Sequence, residues 1–335
     1  MKILYAIQGT GNGHLSRSMD IVPLLQKIGD VDVLVSGTQG DLKLPFKVKY
    51  QLHGFGFVFG KSGGVDLWKS FLKSRFRKFI GEINALPVED YDIVINDFEP
   101  VSAWACYLKN KSCIGLSHQA AVLHEKAPLP ADTDMIGKLI LKHYAPVTAQ
   151  YGFHFKSYGP NISTPVIRQQ VRDQKIENHG HYTVYLPAYD DKRLIKRLTE
   201  FKNIEWDVFS KHNKKTFRYK NISIQPINNE AFIKSMATSA GVLCGAGFET
   251  PAEALFMQKK VLVIPMKTQY EQHLNAAALK DLGVPVIKSL KEKHYEIIKD
   301  WIANGKSIKV NFPDNTQQVL DRVFSEVGAV ELVNV

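Results

Sequence analysis

Along the chain, short apolar runs alternate with segments whose apolar positions recur every three or four residues. Residues 2–7 (KILYAI) read as a buried strand, 8–13 (QGTGNG) as a loop, and 14–28 as a helix with Leu15, Met19, Val22 and Leu25 on one face. Strand-like runs recur at 31–36, 47–52, 92–96, 112–116 and 147–155, with helical patterns between most of them. A turn-rich stretch, 156–165 (KSYGPNISTP), interrupts the rhythm, which then restarts. Strands are predicted at 181–187, 205–210, 221–225, 241–244, 261–265 and 284–287, and helices over 190–201, 229–236 and 291–303 and from near Pro313 to the end. Alternation of this kind predicts parallel sheets covered on both faces, in two α/β halves hinged near residues 157–175. No repeat with a period of about 20–50 residues is present.

Composition narrows the partners. A chain of 335 residues can bury two ordinary cores, and 44% hydrophobic with 23% charged residues belongs to a soluble globular protein. The net charge of +10 points to an acidic partner: a phosphorylated metabolite, an anionic membrane surface or nucleic acid. The basic residues are scattered and form no recognition module, so nucleic acid is not expected. Cys106, Cys113 and Cys244 lack metal spacing, which predicts a reducing compartment without disulfides. The chain enters a strand directly from Met1, and no window approaches the roughly 20 apolar residues of a membrane span. A cytoplasmic location is therefore expected, which makes the Asn-Ile-Ser sequences at Asn161 and Asn221 irrelevant as glycosylation sites.

The chemistry concentrates in residues 241–275, GVLCGAGFETPAEALFMQKKVLVIPMKTQYEQHLN. An apolar strand ends in Gly245, Ala246 and Gly247 and runs straight into a helix N-terminus near Glu249 or Thr250. Unpaired N–H groups and the positive helix end make such a junction an anion site, and small residues let phosphate oxygens approach the backbone. Glu253, one turn in, would be repelled by a phosphate unless it had another task, such as accepting hydrogen bonds from ribose hydroxyls. After the next strand, Gln269, Glu271, Gln272 and Asn275 are of the kind that reads hydroxyl patterns at the carboxyl end of a strand.

The N-terminal loop carries Gly9, Gly11 and Gly13 but is no dinucleotide fingerprint: His14 replaces its third glycine, and the second strand ends without an acidic residue. His14, at the first turn of a helix, is expected to feel the positive helix end, which lowers its pKa and favours the neutral base. Asp97, at the end of the strand over 92–96, should lie on the same sheet edge and could orient the imidazolium. Helix capping is the plainer alternative for both residues.

Together, GTGNGHLSR and CGAGFETPAEAL…VLVIPMKTQYEQHLNA resemble the paired signatures of GT-B nucleotide-sugar glycosyltransferases, the branch of UDP-dependent glycosyltransferases and the peptidoglycan N-acetylglucosaminyltransferase. The resemblance covers nearly the whole chain. It implies an α/β protein of two facing Rossmann-like domains with an interdomain cleft: an N-terminal acceptor domain over 1–160, a linker over 161–175, a donor domain over 176–312, and a terminal helix over 313–335 that packs back on the first domain. It implies inverting transfer, with no metal and no cofactor beyond the nucleotide-diphosphate sugar, most simply a UDP-sugar. By position, Gly245, Ala246 and Gly247 with the N–H groups of Phe248, Glu249 and Thr250 would cradle the diphosphate, Glu253 would bind the ribose, and Ile227 would meet the base. Gln269, Glu271 and Gln272 would face the sugar, His14 would be the base with Asp97 behind it, and Gly11, Gly13 and His118 would line the acceptor side. The chain departs from the family pattern in having small residues around Ala246 where a phosphate-contacting His or Ser is common, and Glu271-Gln272 as the final pair.

Residues 54–80 carry an apolar stripe, Trp68, Phe71, Leu72, Phe76, Phe79 and Ile80, with Lys69, Lys73, Arg77 and Lys78 mostly on other faces and Phe55, Phe57 and Phe59 before it. The stripe is either a core-facing helix or a surface for a lipid-linked acceptor at an anionic membrane, which would place the protein peripherally at the inner face. The Asp30/Asp32 and Asp132/Asp134 pairs read as surface rather than metal ligands. An epimerase or a non-catalytic sugar-nucleotide binder of the same fold is the alternative function.

Overall fold

A computed structural model describes residues 1–37, 42–55, 76–131, 134–267 and 269–333, with side chains to residue 326. Its strands are β1 (Lys2–Gln8), β2 (Asp30–Ser36), β3 (Tyr50–Leu52), β4 (Ile93–Asp97), β5 (Ile114–Ser117), β6 (Ala149–Phe153), β7 (Ile162–Ser163), β8 (Tyr182–Tyr185), β9 (Trp206–Ser210), β10 (Phe217–Tyr219), β11 (Ile222–Pro226), β12 (Gly241–Gly245) and β13 (Lys260–Ile264). The helices are α1 (Asn12–Leu25), α2 (Phe76–Ala85), α3 (Pro100–Leu108), α4 (His118–Val122), α5 (Met135–His143), α6 (Gln169–Arg172), α7 (Asp191–Leu198), α8 (Asn229–Thr238), α9 (Glu249–Phe256), α10 (Tyr270–Asp281), α11 (Tyr295–Asn304) and α12 (Thr316–Val333).

The strands form two sheets, in the orders β3-β2-β1-β4-β5-β6-β7 and β10-β11-β9-β8-β12-β13. Every pairing is parallel except that of β10 with β11. Parallel sheets are covered on both faces, and β1 shows it: Ile3, Tyr5 and Ile7 enter one core while Leu4 and Ala6 enter another, all fully buried. Strand order reverses beside β1 in the first sheet and beside β8 in the second, where parallel sheets leave a crevice at the carboxyl ends of their strands. One continuous core joins the halves, running from β1 and β6 through Phe155, Val166 and Ile167 to Phe248.

Several boundaries differ from the sequence reading. The expected linker over 161–175 begins inside the first sheet, because Ile162–Ser163 pairs with Gly152 and Phe153 as β7, and it carries the short α6. The expected strand over 284–287 is a single bridge of Val286 to Val263, since Pro285 has no N–H to extend a ladder. The expected helix over 291–303 opens with a 3-10 turn, Glu292–His294, before α11. Of the stripe over 54–80, residues 56–75 lie outside the described residues; Phe79 packs against Phe55 in the core that takes Leu4 and Ala6, while Phe76 and Ile80 are exposed. Helix α12 lies beside the first half, where Glu326 accepts the Tyr151 hydroxyl and Arg322 donates to the Pro160 carbonyl.

Candidate functional site

The two reversal points face one another across a cavity of about 830 Å³. One wall is the start of α1, with Gly11, Gly13 and His14, together with Phe98 and Gln119. The other is the N-terminal end of α9 from Gly247 to Thr250, with Glu253, Ile227, and Gln269, Glu271 and Gln272 at the start of α10. Every residue expected at the site lines this cavity except Asp97, Gly245, Ala246, His118 and Asn275.

Asp97 stands directly behind the wall, fully buried at the end of β4. It is not a helix cap: Glu99 takes that place, its carboxylate accepting from the N–H groups of Val101 (2.7 Å) and Ser102 (2.6 Å). Phe98 makes the turn between them in the left-handed region at φ 59°, a conformation that costs a non-glycine residue about 1–2 kcal/mol. The Asn96 side chain fixes this turn by bonding both the N–H and the carbonyl of Glu99. Asp97 is thereby left to point at α1.

There its Oδ1 accepts from His14 Nδ1 at 2.8 Å and from Arg17 Nη2 at 2.6 Å. A proton on Nδ1 leaves the lone pair of Nε2 towards the cavity, where the Gln119 amide lies at 3.4 Å. Burial opposes the charged imidazole, but Asp97 outweighs burial and holds the pKa of His14 above its ordinary value. The expectation that the helix end would lower it is corrected by this carboxylate. Asp97 itself would be raised by burial, yet Arg17 first and His14 second hold it below the usual range. Arg17 was not singled out from the sequence, although its i, i+3 spacing from His14 places both on one helix face. Its other arm reaches the second half of the molecule, Nη1 lying 2.6 Å from Glu249 Oε1.

On the opposite wall Glu253 is almost fully buried and carries a partner that the sequence did not reveal. Arg168, beside α6, grips both of its oxygens, Nε to Oε1 at 2.5 Å and Nη2 to Oε2 at 2.8 Å, and also donates to Asn229 at 2.6 Å. Nothing local announces this pair, whose members lie far apart in sequence. A ribose hydroxyl reaching Glu253 would share its carboxylate with this guanidinium. The Gln272 side chain accepts from the Met266 N–H at 3.0 Å and donates to the side-chain amide oxygen of Gln269, which holds these two side chains in fixed orientation at the mouth of β13.

His118 corrects an expectation. It is 1% exposed, stacked on Phe248 with ring centroids 3.7 Å apart, and its nitrogens meet the Phe153 carbonyl at 2.7 Å and Asn275 Oδ1 at 2.6 Å. Burial pushes its pKa down. It joins the two halves instead of facing an acceptor. Asn275 completes the junction by donating to the Ala246 carbonyl at 3.1 Å, so Ala246 is part of that joint, and of the three small residues only Gly247 lines the cavity. Among the described residues no group of three His, Cys, Asp or Glu side chains is placed to hold a metal ion.

Comparisons with known proteins bear on the fold and the family. Among solved structures, that of Acinetobacter baumannii MurG superposes with a TM-score of 0.54 at 15% identity, covering 97% of this chain and 99% of that one. Arabidopsis thaliana UGT89C1 complexed with UDP gives 0.54 at 11% identity over 97% and 99%. A UDP-N-acetylglucosamine 2-epimerase gives 0.56 at 12% identity over 98% and 97%. At such identities the likeness shows the fold, which is GT-B: two parallel-sheet domains facing one cleft. No curated protein sequence matches the chain. Residues 1–304 match the model of glycosyl transferase family 1, and the chain belongs to that family.

Proposed function

We propose that this chain moves a sugar from a nucleoside-diphosphate sugar, with UDP as the first candidate, to an acceptor hydroxyl, inverting the anomeric centre and using no metal or further cofactor. The observation that carries the reading is the placement of the His14 ring: Asp97 Oδ1 lies 2.8 Å from Nδ1, which favours the proton on that nitrogen and leaves Nε2 as the base on the cavity wall facing the N-terminal end of α9. His14 takes the acceptor proton as the oxygen attacks the anomeric carbon, and the bond to the diphosphate oxygen breaks on the opposite face. The free N–H groups at the start of α9 receive the negative charge of the leaving group, and Arg168, Arg193 and Lys211 line the same cavity. Such donors can do the work of a divalent cation, and transfer should survive EDTA.

A thermal-shift panel of nucleoside diphosphates and their sugars, with uridine, thymidine and guanosine members, tests the donor. A ligand at about 100 times its Kd stabilises the native state by roughly 2.7 kcal/mol. The reading fails if none of the panel raises the melting temperature. The likeness to a 2-epimerase supports one alternative, which would convert the sugar nucleotide with no acceptor present. A non-catalytic binder would give neither product.

For the acceptor, α5 supports a lipid-linked or cell-envelope substrate. None of its residues is buried: Met135, Ile136 and Leu139 are 72%, 59% and 60% exposed, with Lys138 and Lys142 exposed among them, while Ile140 and Leu141 line the cavity mouth. An apolar helix face rimmed with lysine suits peripheral contact with an anionic membrane. Flotation with acidic liposomes should be salt-sensitive and weaken in Leu139→Ser; no flotation at low salt sinks the membrane reading.

A further inference from the structure

We propose that Glu249 is a positioning residue for the base: through Arg17 it couples the donor half of the molecule to the His14–Asp97 pair and sets how firmly the imidazole holds its proton. The inference rests on the reading of His14 as the base.

The geometry is a chain of shared atoms. Arg17 is 1% exposed and forks between carboxylates from the two halves, Nη1 to Glu249 Oε1 and Nη2 to Asp97 Oδ1, each at 2.6 Å. The same Oδ1 receives His14 Nδ1, while Asp97 Oδ2 is buried without a hydrogen-bond partner among the described residues. The hold of Asp97 on the imidazole and its hold on Arg17 therefore compete at one oxygen. What Glu249 takes from the guanidinium is returned to His14.

Glu249 is placed for this by a glycine. A Cβ built on Gly13 would overlap Glu249 Oε2, so a larger residue at position 13 would displace the carboxylate. The charged groups around His14 are Asp97 from β4, Arg17 from α1 and Glu249 from α9; the Gln119 amide of α4 and the buried Tyr5 hydroxyl of β1 complete the surroundings. With neutral imidazole, one cation faces two carboxylates and the cluster carries a net negative charge. A proton on His14 cancels it. Removing the charge of Glu249 leaves Arg17 to neutralise Asp97 alone, and the imidazolium loses its support. By reciprocity, a proton on His14 favours the contact between the halves, and breaking that contact releases the proton.

The test is an NMR titration of the full chain with labelled histidine rings and no ligand, the His14 signal being assigned by its absence in His14→Asn. In Glu249→Gln the His14 midpoint should fall by about 0.5–1 pH unit. Glu249→Asp, which keeps the charge but shortens its reach, should shift it the same way by less. Arg17→Lys, which cannot fork to both carboxylates, should give with Glu249→Gln a combined change that differs from the sum of the two. A midpoint in folded Glu249→Gln that rises, or stays within about 0.2 pH unit of the parent, overturns the proposal. No substrate enters this experiment, so a flat titration refutes the coupling alone, and failure to bind any nucleotide refutes the transfer reading alone.

Discussion

Replacing His14 by alanine should lower sugar transfer about 10²–10⁴-fold, the range for loss of a positioned general base, while nucleotide-dependent stabilisation stays near that of the parent. The separation matters because His14 and the N-terminal end of α9 belong to opposite walls of the cavity. The base works only when neutral, and Asp97 holds the folded-state pKa of His14 above its ordinary value. The rate should therefore climb with pH through a midpoint above that of a free imidazole. The linked stability runs the other way. A group whose pKa is raised on folding contributes stability that is fully present below its unfolded pKa, about 6.5, and is lost as pH rises through the folded value. His14→Ala should remove that pH-dependent part of the stability. Retention of full activity in His14→Ala would leave the chain without a base.

Glu253→Ala should be the most damaging single change on the donor side, for two independent reasons. Breaking a buried ion pair by deleting one partner costs about 3–5 kcal/mol, and among the described residues Arg168 would be left buried with Asn229 alone to accept from its side chain. In addition, the nucleotide should no longer raise the melting temperature of whatever fraction folds. Glu253→Gln separates the two effects: the amide keeps the shape and one acceptor, so it should fold better than Glu253→Ala while still binding nucleotide weakly. A full nucleotide shift in Glu253→Ala would remove Glu253 from the donor site and leave it a structural partner of Arg168.

What could be read in advance follows from how local each signal is. The runs 2–14 and 241–250 each write a strand, small residues and a helix start within a dozen or so positions, and both fall at the reversal points of the sheets. Asp97 could be placed because a strand end beside β1 shares its sheet edge. The partners of these residues could not. Arg168 meets Glu253, and Arg17 meets Glu249, only because the halves close to a particular distance, and no pattern of spacing encodes that distance. His118 misled for the same reason: its place after β5 was right, but the ring of Phe248 from the other half covers it. For helix α5 the apolar spacing is in the sequence, but that its apolar residues face outward is not, because periodicity does not say which face meets the core. Pro285 was legible and should have demoted the strand over 284–287.

On this reading the donor diphosphate lies against the free N–H groups at the start of α9, across the cavity from His14. Determining the structure of the protein with bound UDP tests it most directly. Phosphate oxygens are expected within hydrogen-bond distance of the N–H groups of residues 248–250, with a ribose hydroxyl at Glu253. UDP bound outside this cavity, or a diphosphate held by side chains alone and away from α9, would contradict it.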